Sequence, residues 1–403
     1  MSNTTTINNC QICKKKTTKV LSLGLHPLCD DLIKINSKKK NQEYPIIIQY
    51  CKNCRTAFQK HQVKKRILFP KSYHYRAKLT QDVINGQKDL IREIKNSYKS
   101  LKGKKILDIG CNDGTLLDNF KKEKAITIGI EPTNAYKDAS KKHKIYNNYL
   151  DRRVCSKILK KFGNIDFITF TNVFAHINNL SELLKNLGKL TSKDTTIIIE
   201  NHYLGSVIQK RQFDTFYHEH PRTYSLTSFV KIAKIMDLNL EKFSFPKRYG
   251  GNIRVFLSKK KIKSNFKKKV LEEKKFYKKL INLQKLINIW KINKQKKILS
   301  LNKKYGPLPA KAFPGRAAIL LKLLKLNTSN INSVYEKNNS KKIGYYVPST
   351  RIPIVADSGL KKIKKKVPII NFAWHIDKEI KKYLKKLKFY NKVISILEKK
   401  DFR

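Results

Sequence analysis

The chain has 403 residues, room for two or three domains, and sets 89 Lys+Arg against 29 Asp+Glu, a formal net charge of +60. That balance invites a nucleic-acid or membrane-surface partner. However, the lysines run through helix faces, linkers and the C-terminal part alike. The abundance of Asn and Ile beside them points to A/T-rich codon usage as a sufficient cause. Residues Met1 to Asn9 are polar, no apolar run reaches transmembrane length, and the chain holds seven cysteines. These features speak against a secreted disulfide scaffold and a membrane-spanning protein, so a soluble, cytoplasmic protein is expected; a monomer is the expected state.

In chain order, Cys10-Gln-Ile-Cys13 and Cys51-Lys-Asn-Cys54 form two C-x-x-C pairs. Four thiolates in two such pairs suit tetrahedral zinc with no open position, hence a structural site. A redox pair or free thiols are the alternatives. Cys29, Cys111 and Cys155 read as small packing residues. Phe69 to Arg76 is rich in aromatics and either lids a pocket or simply links two segments. Residues 82–99 carry Val83, Ile84, Leu90, Ile91 and Ile94 at helical spacing.

The stretch 105–117 reads strand, glycine loop, helix. Ile106, Leu107 and Ile109 form a short apolar run, Gly110 and Gly114 follow, and Leu116, Leu117 and Phe120 recur at helical spacing. Glycines allow a tight turn and close approach of a ligand. A second strand, 126–130, ends at Glu131, a carboxylate that can accept both hydroxyls of a ribose. An ordinary strand-to-helix junction is the plain alternative, and the spacing is not G-x-G-x-x-G. Further strands are predicted at 165–170 and 195–199, with helices at 114–122, 134–142 and 179–190, and edge strands at 239–245 and 253–258. The alternation implies a parallel sheet covered on both faces.

Two polar features fall at the strand-end rim: Thr171 to His176, and Phe213-Asp-Thr-Phe-Tyr-His-Glu-His220 after Asn201-His202. If the latter is extended, Tyr217 and Glu219 face one way and His218 and His220 the other. A metal reading is weak because the spacing is not H-E-x-x-H. A general base is the better reading, since imidazole titrates near neutral pH. Arg248 to Arg254 holds a Gly pair that either admits a ligand or makes a hairpin turn. Residues 259–304 are Lys-rich and helical, read as a connecting helix with a coiled coil as runner-up. Residues 305–403 fit a second α/β unit, with Pro307 and Pro309 disfavouring a regular strand at its start.

The glycine loop, D-x-G-C-N-D-G, resembles motif I of class I S-adenosylmethionine (SAM) methyltransferases. The whole series of motifs, through G-I-E-P, N-V-F-A-H, F-D-T-F-Y-H-E-H, Y-G-G-N-I-R-V and V-P-S-T-R-I-P-I, resembles the nucleotide-sugar C-methyltransferases of deoxysugar biosynthesis. The resemblance covers nearly the whole chain. It implies an α/β protein with a zinc-binding module (1–68), a class I methyltransferase sheet (69–260), a helical connector (261–304) and a C-terminal Rossmann-like domain (305–403).

It implies SAM and structural zinc as cofactors, and a dTDP- or other NDP-4-keto-deoxyhexose methylated at C3 as substrate. By position, His220 is the implied base, with Tyr217, Glu219 and His176 beside it. Asp108, Gly110, Asn112, Asp113, Gly114 and Glu131 match the SAM pocket, and Cys10, Cys13, Cys51 and Cys54 the zinc ligands. Tyr73 or Tyr75 matches an aromatic near the sugar. The chain departs from the family at Ala310 to Arg316, where early glycines are missing, at Pro348-Ser-Thr350 and at Trp374-His375. These departures leave the exact sugar open. A nucleic-acid methyltransferase, or a zinc-ribbon binding protein with a decayed methyltransferase core, are the rival readings. The even spread of lysine argues against the first, and the intact glycine loop, Glu131 and Y-H-E-H against the second.

Overall fold

The structure, a computed structural model, describes residues 3–70, 76–260 and 265–403. It divides into two compact bodies. One comprises Met1–Thr18, Gln49–Arg211 and Glu219–Tyr277; the other comprises Lys19–Ile48, Gln212–His218 and Lys278–Arg403. Neither is a single stretch of chain. Residues 1–68 contribute to both, and most of the helix read as a connector belongs with the second.

The first body is organised on a seven-stranded sheet. Its strands are β1 Lys105–Ile109, β2 Ile126–Ile130, β3 Lys144–Tyr146, β4 Phe167–Thr171, β5 Thr196–His202, β6 Asn239–Ser244 and β7 Asn252–Ser258, in spatial order β6-β7-β5-β4-β1-β2-β3. The five strands β3-β2-β1-β4-β5 are parallel; β7 runs antiparallel to β5, and β6 to β7. This is the class I methyltransferase arrangement expected of the central segment. Strand order reverses at β1, so the carboxyl ends of β1 and β4 flank a switch point, where open α/β sheets receive ligands.

The central strands are nearly all apolar because helices cover both faces. On one face, α1 (Gln81–Tyr98) sets Leu90, Ile91 and Ile94 against Ile106, Phe167 and Phe256 of the sheet; Leu116 and Phe120 of α2 (Thr115–Lys122) join the same cluster. Two further helices start on side-chain caps. Asp151 accepts the Val154 N–H before α3 (Arg152–Phe162), and Asn179 accepts the Glu182 N–H before α4 (Leu180–Leu190). The sequence reading missed β3 and α3. The strand is too short to show alternation, and the helix is rich in Lys and Arg, with only Val154, Cys155 and Ile158 buried. The helix expected over 134–142 is reduced to Tyr136–Ala139.

The helix α5 (Leu226–Ile235) begins on a capping box between Ser225 and Ser228. Its first turn receives a second cap from afar. The fully buried Glu273 accepts the N–H groups of Leu226 (2.8 Å) and Thr227 (2.9 Å), and the hydroxyls of Thr227 (2.5 Å) and Tyr203 (2.9 Å). The N-terminal residues of the same body form short antiparallel pairings, Thr4–Thr6 with His61–Val63 and Thr56–Gln59 with Arg222–Thr223.

The second body holds the long helix α6 (Phe276–Tyr305, from Lys278 onward) and a five-stranded parallel sheet. Its strands are β8 Leu308–Lys311, β9 Ile331–Glu336, β10 Ile354–Ala356, β11 Ile369–Asn371 and β12 Val393–Ser395, ordered β10-β9-β8-β11-β12. Two helices of this body follow sheet strands, α7 (Ala317–Leu323) and α8 (Asp377–Lys386). Against expectation, β8 includes Pro309; the register shift between Leu308 and Pro309 accommodates the missing N–H. Trp290 of α6 is fully buried, and its indole N–H donates to the Ile396 carbonyl at 3.2 Å.

Candidate active site and metal centre

The glycine loop leaves the carboxyl end of β1 with three residues in the left-handed region: Gly110 (φ 74°), Asn112 (φ 51°) and Gly114 (φ 80°). Gly110 is required by packing as well, since a Cβ there would lie 2.6 Å from Val173 Cγ2. Glu131, just beyond β2, fastens this loop. Its Oε2 accepts the Asn112 N–H at 2.9 Å, and its Oε1 accepts the Thr133 N–H (2.9 Å) and hydroxyl (2.6 Å). Oε2 thereby keeps acceptor capacity for a hydroxyl.

The other loop residues divide their duties. Asp108 is buried within β1 and accepts the Thr169 hydroxyl at 2.7 Å; burial pushes its carboxyl up to about 7. Asn112 Oδ1 accepts the Ala77 N–H (2.9 Å), Asp113 Oδ2 accepts the Lys78 N–H (3.0 Å), and Asp113 Oδ1 accepts the Thr115 hydroxyl (2.5 Å). Residues 76–79 are therefore pinned along the loop. Arg76 completes the attachment through Asp138 (3.0 Å) and Asn134 (3.1 Å). This is the described end of the segment read as a lid or linker; Tyr73 and Tyr75 lie outside the described residues.

Three imidazoles gather at the same rim of the sheet. His176 stands in the short 3-10 turn after β4, and His202 closes β5. The His220 ring is stacked on His176 (5.0 Å between centroids, 29° between planes) and lies 5.2 Å from the His202 ring. On its other side His176 stacks on Phe69 at 5.4 Å. Its Nε2 is buried without a hydrogen-bond partner, and burial lowers its pKa to about 4, so the ring is neutral at physiological pH. Glu219 is buried in the first body, and Tyr217 is half-buried in the second.

Residues 217–220 form a turn rather than a strand, so simple alternation does not govern them. His218 leaves the rim altogether: its Nε2–H donates to the Tyr44 carbonyl at 3.1 Å in the second body. Sequence reasoning passed over His202. Its only signal was its place at the carboxyl end of a predicted strand.

A buried ionic cluster lies at the end of β5 beside this rim. Glu200 accepts Arg254 Nε (2.8 Å) and Nη2 (2.6 Å), Arg248 Nη1 (3.1 Å) and Asn252 Nδ2 (2.9 Å). Arg254 also meets Glu93 of α1 at 2.6 Å. Two arginines thus face two carboxylates, the pairing that a buried charge requires. This is the occupation of the 248–254 glycine region.

The four cysteines converge. The Sγ atoms of Cys10, Cys13, Cys51 and Cys54 all lie within 4.8 Å of one another, with Cys13 and Cys51 at 3.6 Å. Tetrahedral zinc with Zn–S bonds of about 2.3 Å needs sulfurs roughly 3.8 Å apart. Both pairs sit on the same knuckle: Lys14 N–H donates to Cys10 O (2.8 Å), Arg55 N–H donates to Cys51 O (2.7 Å), and Lys14 and Arg55 are both left-handed. The donor set fits structural zinc and leaves no position for a substrate. Among the described residues no other group of three or more His, Cys, Asp or Glu side chains brings its ligand atoms together in this way.

Comparison with known proteins gives three adjoining matches. Residues 10–69 match the model "Putative zinc binding domain", residues 84–242 the model "Methyltransferase domain", and residues 247–392 the model "C-methyltransferase C-terminal domain". The C-methyltransferase NovU of Streptomyces niveus is 23% identical over 254 residues, 62% of this chain and 60% of that protein. The aligned part therefore spans less than two thirds of that relative. A ubiquinone biosynthesis O-methyltransferase of Pelagibacter ubique is 26% identical over 36% of this chain and 64% of its own length. Among solved structures, a SAM-dependent methyltransferase of Archaeoglobus fulgidus aligns over 42% of this chain and 93% of its own, with 15% identity and a TM-score of 0.33.

Proposed function

We propose, on the premise that the chain carries the three domains of the C-methyltransferases in their order, that it is a SAM-dependent enzyme methylating carbon beside a ketone. The substrate we infer is a nucleotide-linked 4-keto-deoxyhexose, alkylated at C3, in deoxysugar biosynthesis, by a cytoplasmic monomer. The observation that supports this most is the trio of imidazoles at the strand ends neighbouring the glycine loop. Carbon becomes nucleophilic when a neighbouring carbonyl acidifies its C–H bond, and a group able to take that proton must stand beside the methyl donor.

SAM, when bound, supplies an electrophilic methyl group. The Gly110–Gly114 loop and Glu131 are the proposed cradle for it, with the free acceptor capacity of Glu131 Oε2 directed to the ribose. Asn112 and Asp113 contribute by holding residues 77 and 78 against the loop. His220 is the proposed base that removes the C3 proton. The neutral ring of His176 stacked on it adds no positive charge there at neutral pH. Tyr217, Glu219 and His176 are the proposed groups that orient the base or hydrogen-bond the enolate oxygen, where a donor acts most strongly in a dry site. Zinc has a structural role only.

The test is incubation with labelled SAM and a panel of dTDP- and other NDP-4-keto sugars, with the methyl located by mass spectrometry. C3-deuterated substrate should lose its label to solvent. Methyl transfer to oxygen or to RNA, with no keto sugar accepted, would reject the proposal.

A further inference from the structure

Methylation at carbon releases one proton per turnover. The C3–H bond breaks, a C3–CH3 bond forms as the S–CH3 bond of the sulfonium breaks, and the proton is left on the base. The base must shed it before it can act again. His220 is only 6% exposed, so a proton taken up there needs a path to solvent.

Two imidazoles of the same body stand beside His220, and their geometries differ. His176 is stacked on it, with 29° between the planes. Ring nitrogens donate and accept in the plane of the ring, so stacked imidazoles present faces rather than nitrogens to each other. The second face of His176 is covered by Phe69, 5.4 Å away and 14° from parallel. Burial holds the His176 ring at a pKa of about 4, which makes it a poor proton carrier at neutral pH. His176 braces the base.

His202 is placed otherwise. Its ring centre lies 5.2 Å from that of His220, and the two planes are inclined by 55°. An inclined ring can turn an edge nitrogen toward its neighbour, directly or through one water. His202 ends β5 and is half-buried, more open to solvent than His220. Glu200 stands two residues earlier on the same strand face, and its charge is compensated by Arg248 and Arg254. The residue opposite His202 across the sheet is the uncharged Asn252. An imidazolium at 202 is therefore not pinned by a bare carboxylate at either position.

We propose that His202 is the proton relay of His220. Having taken the C3 proton, His220 passes it to one nitrogen of His202, and the other nitrogen of that ring releases a proton to water or buffer. Return of the ring to its first tautomer readies it for the next turnover. The relay moves one proton and no electrons, and its final acceptor is water or a buffer base. His202 acts through His220 rather than on the substrate, and the relay rests on the function proposed above.

The experiment uses full-length wild type, H202N and H220N with SAM and the keto sugar accepted in the panel. Product is followed through the first turnover by rapid quench and then in the steady state, in dilute and in concentrated imidazole buffer at one pH and ionic strength. SAM affinity is measured alongside and should match the wild type. In H202N the first turnover should run at the wild-type rate. Later turnovers in dilute buffer should slow by roughly ten- to a hundredfold, within what a proton-transfer group supplies. Imidazole in solution should return most of that loss and saturate, because it is the missing proton acceptor, whereas the wild type should barely respond. Should H202N fail to fold, H202Q, equally unable to take up a proton, carries the same test.

A slowed first turnover that imidazole does not restore would give His202 a packing role only, and unchanged steady-state turnover would take it off the proton path. Either result overturns the relay. If the wild type methylates no keto sugar, or H220N keeps its first turnover, the function proposed above fails instead; failure of the relay alone shows only in the residue 202 variants.

Discussion

The rings of His176 and His220 lie stacked, 5.0 Å apart, although they come from different loops of the sheet rim. His220 is the member of the pair proposed to take a proton, so His220→Asn should lower kcat by about two to four orders of magnitude, the usual share of a general base. SAM affinity measured by calorimetry should change less than about threefold. Full turnover in this variant would remove His220 from the mechanism.

The half-buried His176, whose Nε2 is shut off from solvent, also leaves a mark on stability. Its folded pKa of about 4 is below the ordinary 6.5, so between those values the unfolded chain binds the extra proton. Its contribution is present in full above pH 6.5 and is lost as pH falls toward 4, an effect of at most about 3 kcal/mol. His26 and His218, also lowered to about 4 by burial, act in the same direction. His176→Asn should therefore reduce, without abolishing, the loss of urea stability between pH 7 and pH 4.5. An unchanged pH slope would show that the ring is not desolvated.

Glu131 holds the glycine loop by its own acceptors, so the amide of Glu131→Gln would set donors against the N–H groups of Asn112 or Thr133. An unsatisfied donor of this kind costs about 1–3 kcal/mol. SAM binding should weaken roughly tenfold to a hundredfold by the same figure. Calorimetry returning the wild-type Kd would separate Glu131 from the donor site.

The four-cysteine cluster predicts one zinc per chain by elemental analysis. Cys51→Ser should lose it and lower the thermal midpoint by roughly 5 °C or more, because metal binding is coupled to folding. Methyl transfer per folded molecule should remain near that of wild type. A proportional loss of turnover in molecules that are still folded would give the metal a chemical role.

Glu273 accepts four hydrogen bonds from residues 203, 226 and 227. Glu273→Gln forces an amide donor against donors and should cost about 1–3 kcal/mol in urea unfolding. A change within about 0.5 kcal/mol, typical of a surface site, would show the cap to be dispensable.

Much of the architecture could be read before any coordinates. The run from Lys105 to Ile109, the turn at Gly110, the carboxylate at Glu131 and the paired cysteines are local patterns. An apolar strand buried on both faces, a left-handed loop residue and a C-x-x-C knuckle each leave their signature within a few neighbouring positions. The partners of those residues were decided elsewhere. Whether His220 meets His176 and His202, whether Asn112 and Asp113 turn to residues 77 and 78, and whether Asp214 meets Arg316 and Trp374 depend on contacts between distant segments. Such contacts depend on strand order and loop path, which side-chain periodicity does not encode. The turn at 217–220 makes the point: alternation put His218 and His220 on one face, whereas the folded chain sends one to a backbone carbonyl in the second body and the other to the imidazoles of the first.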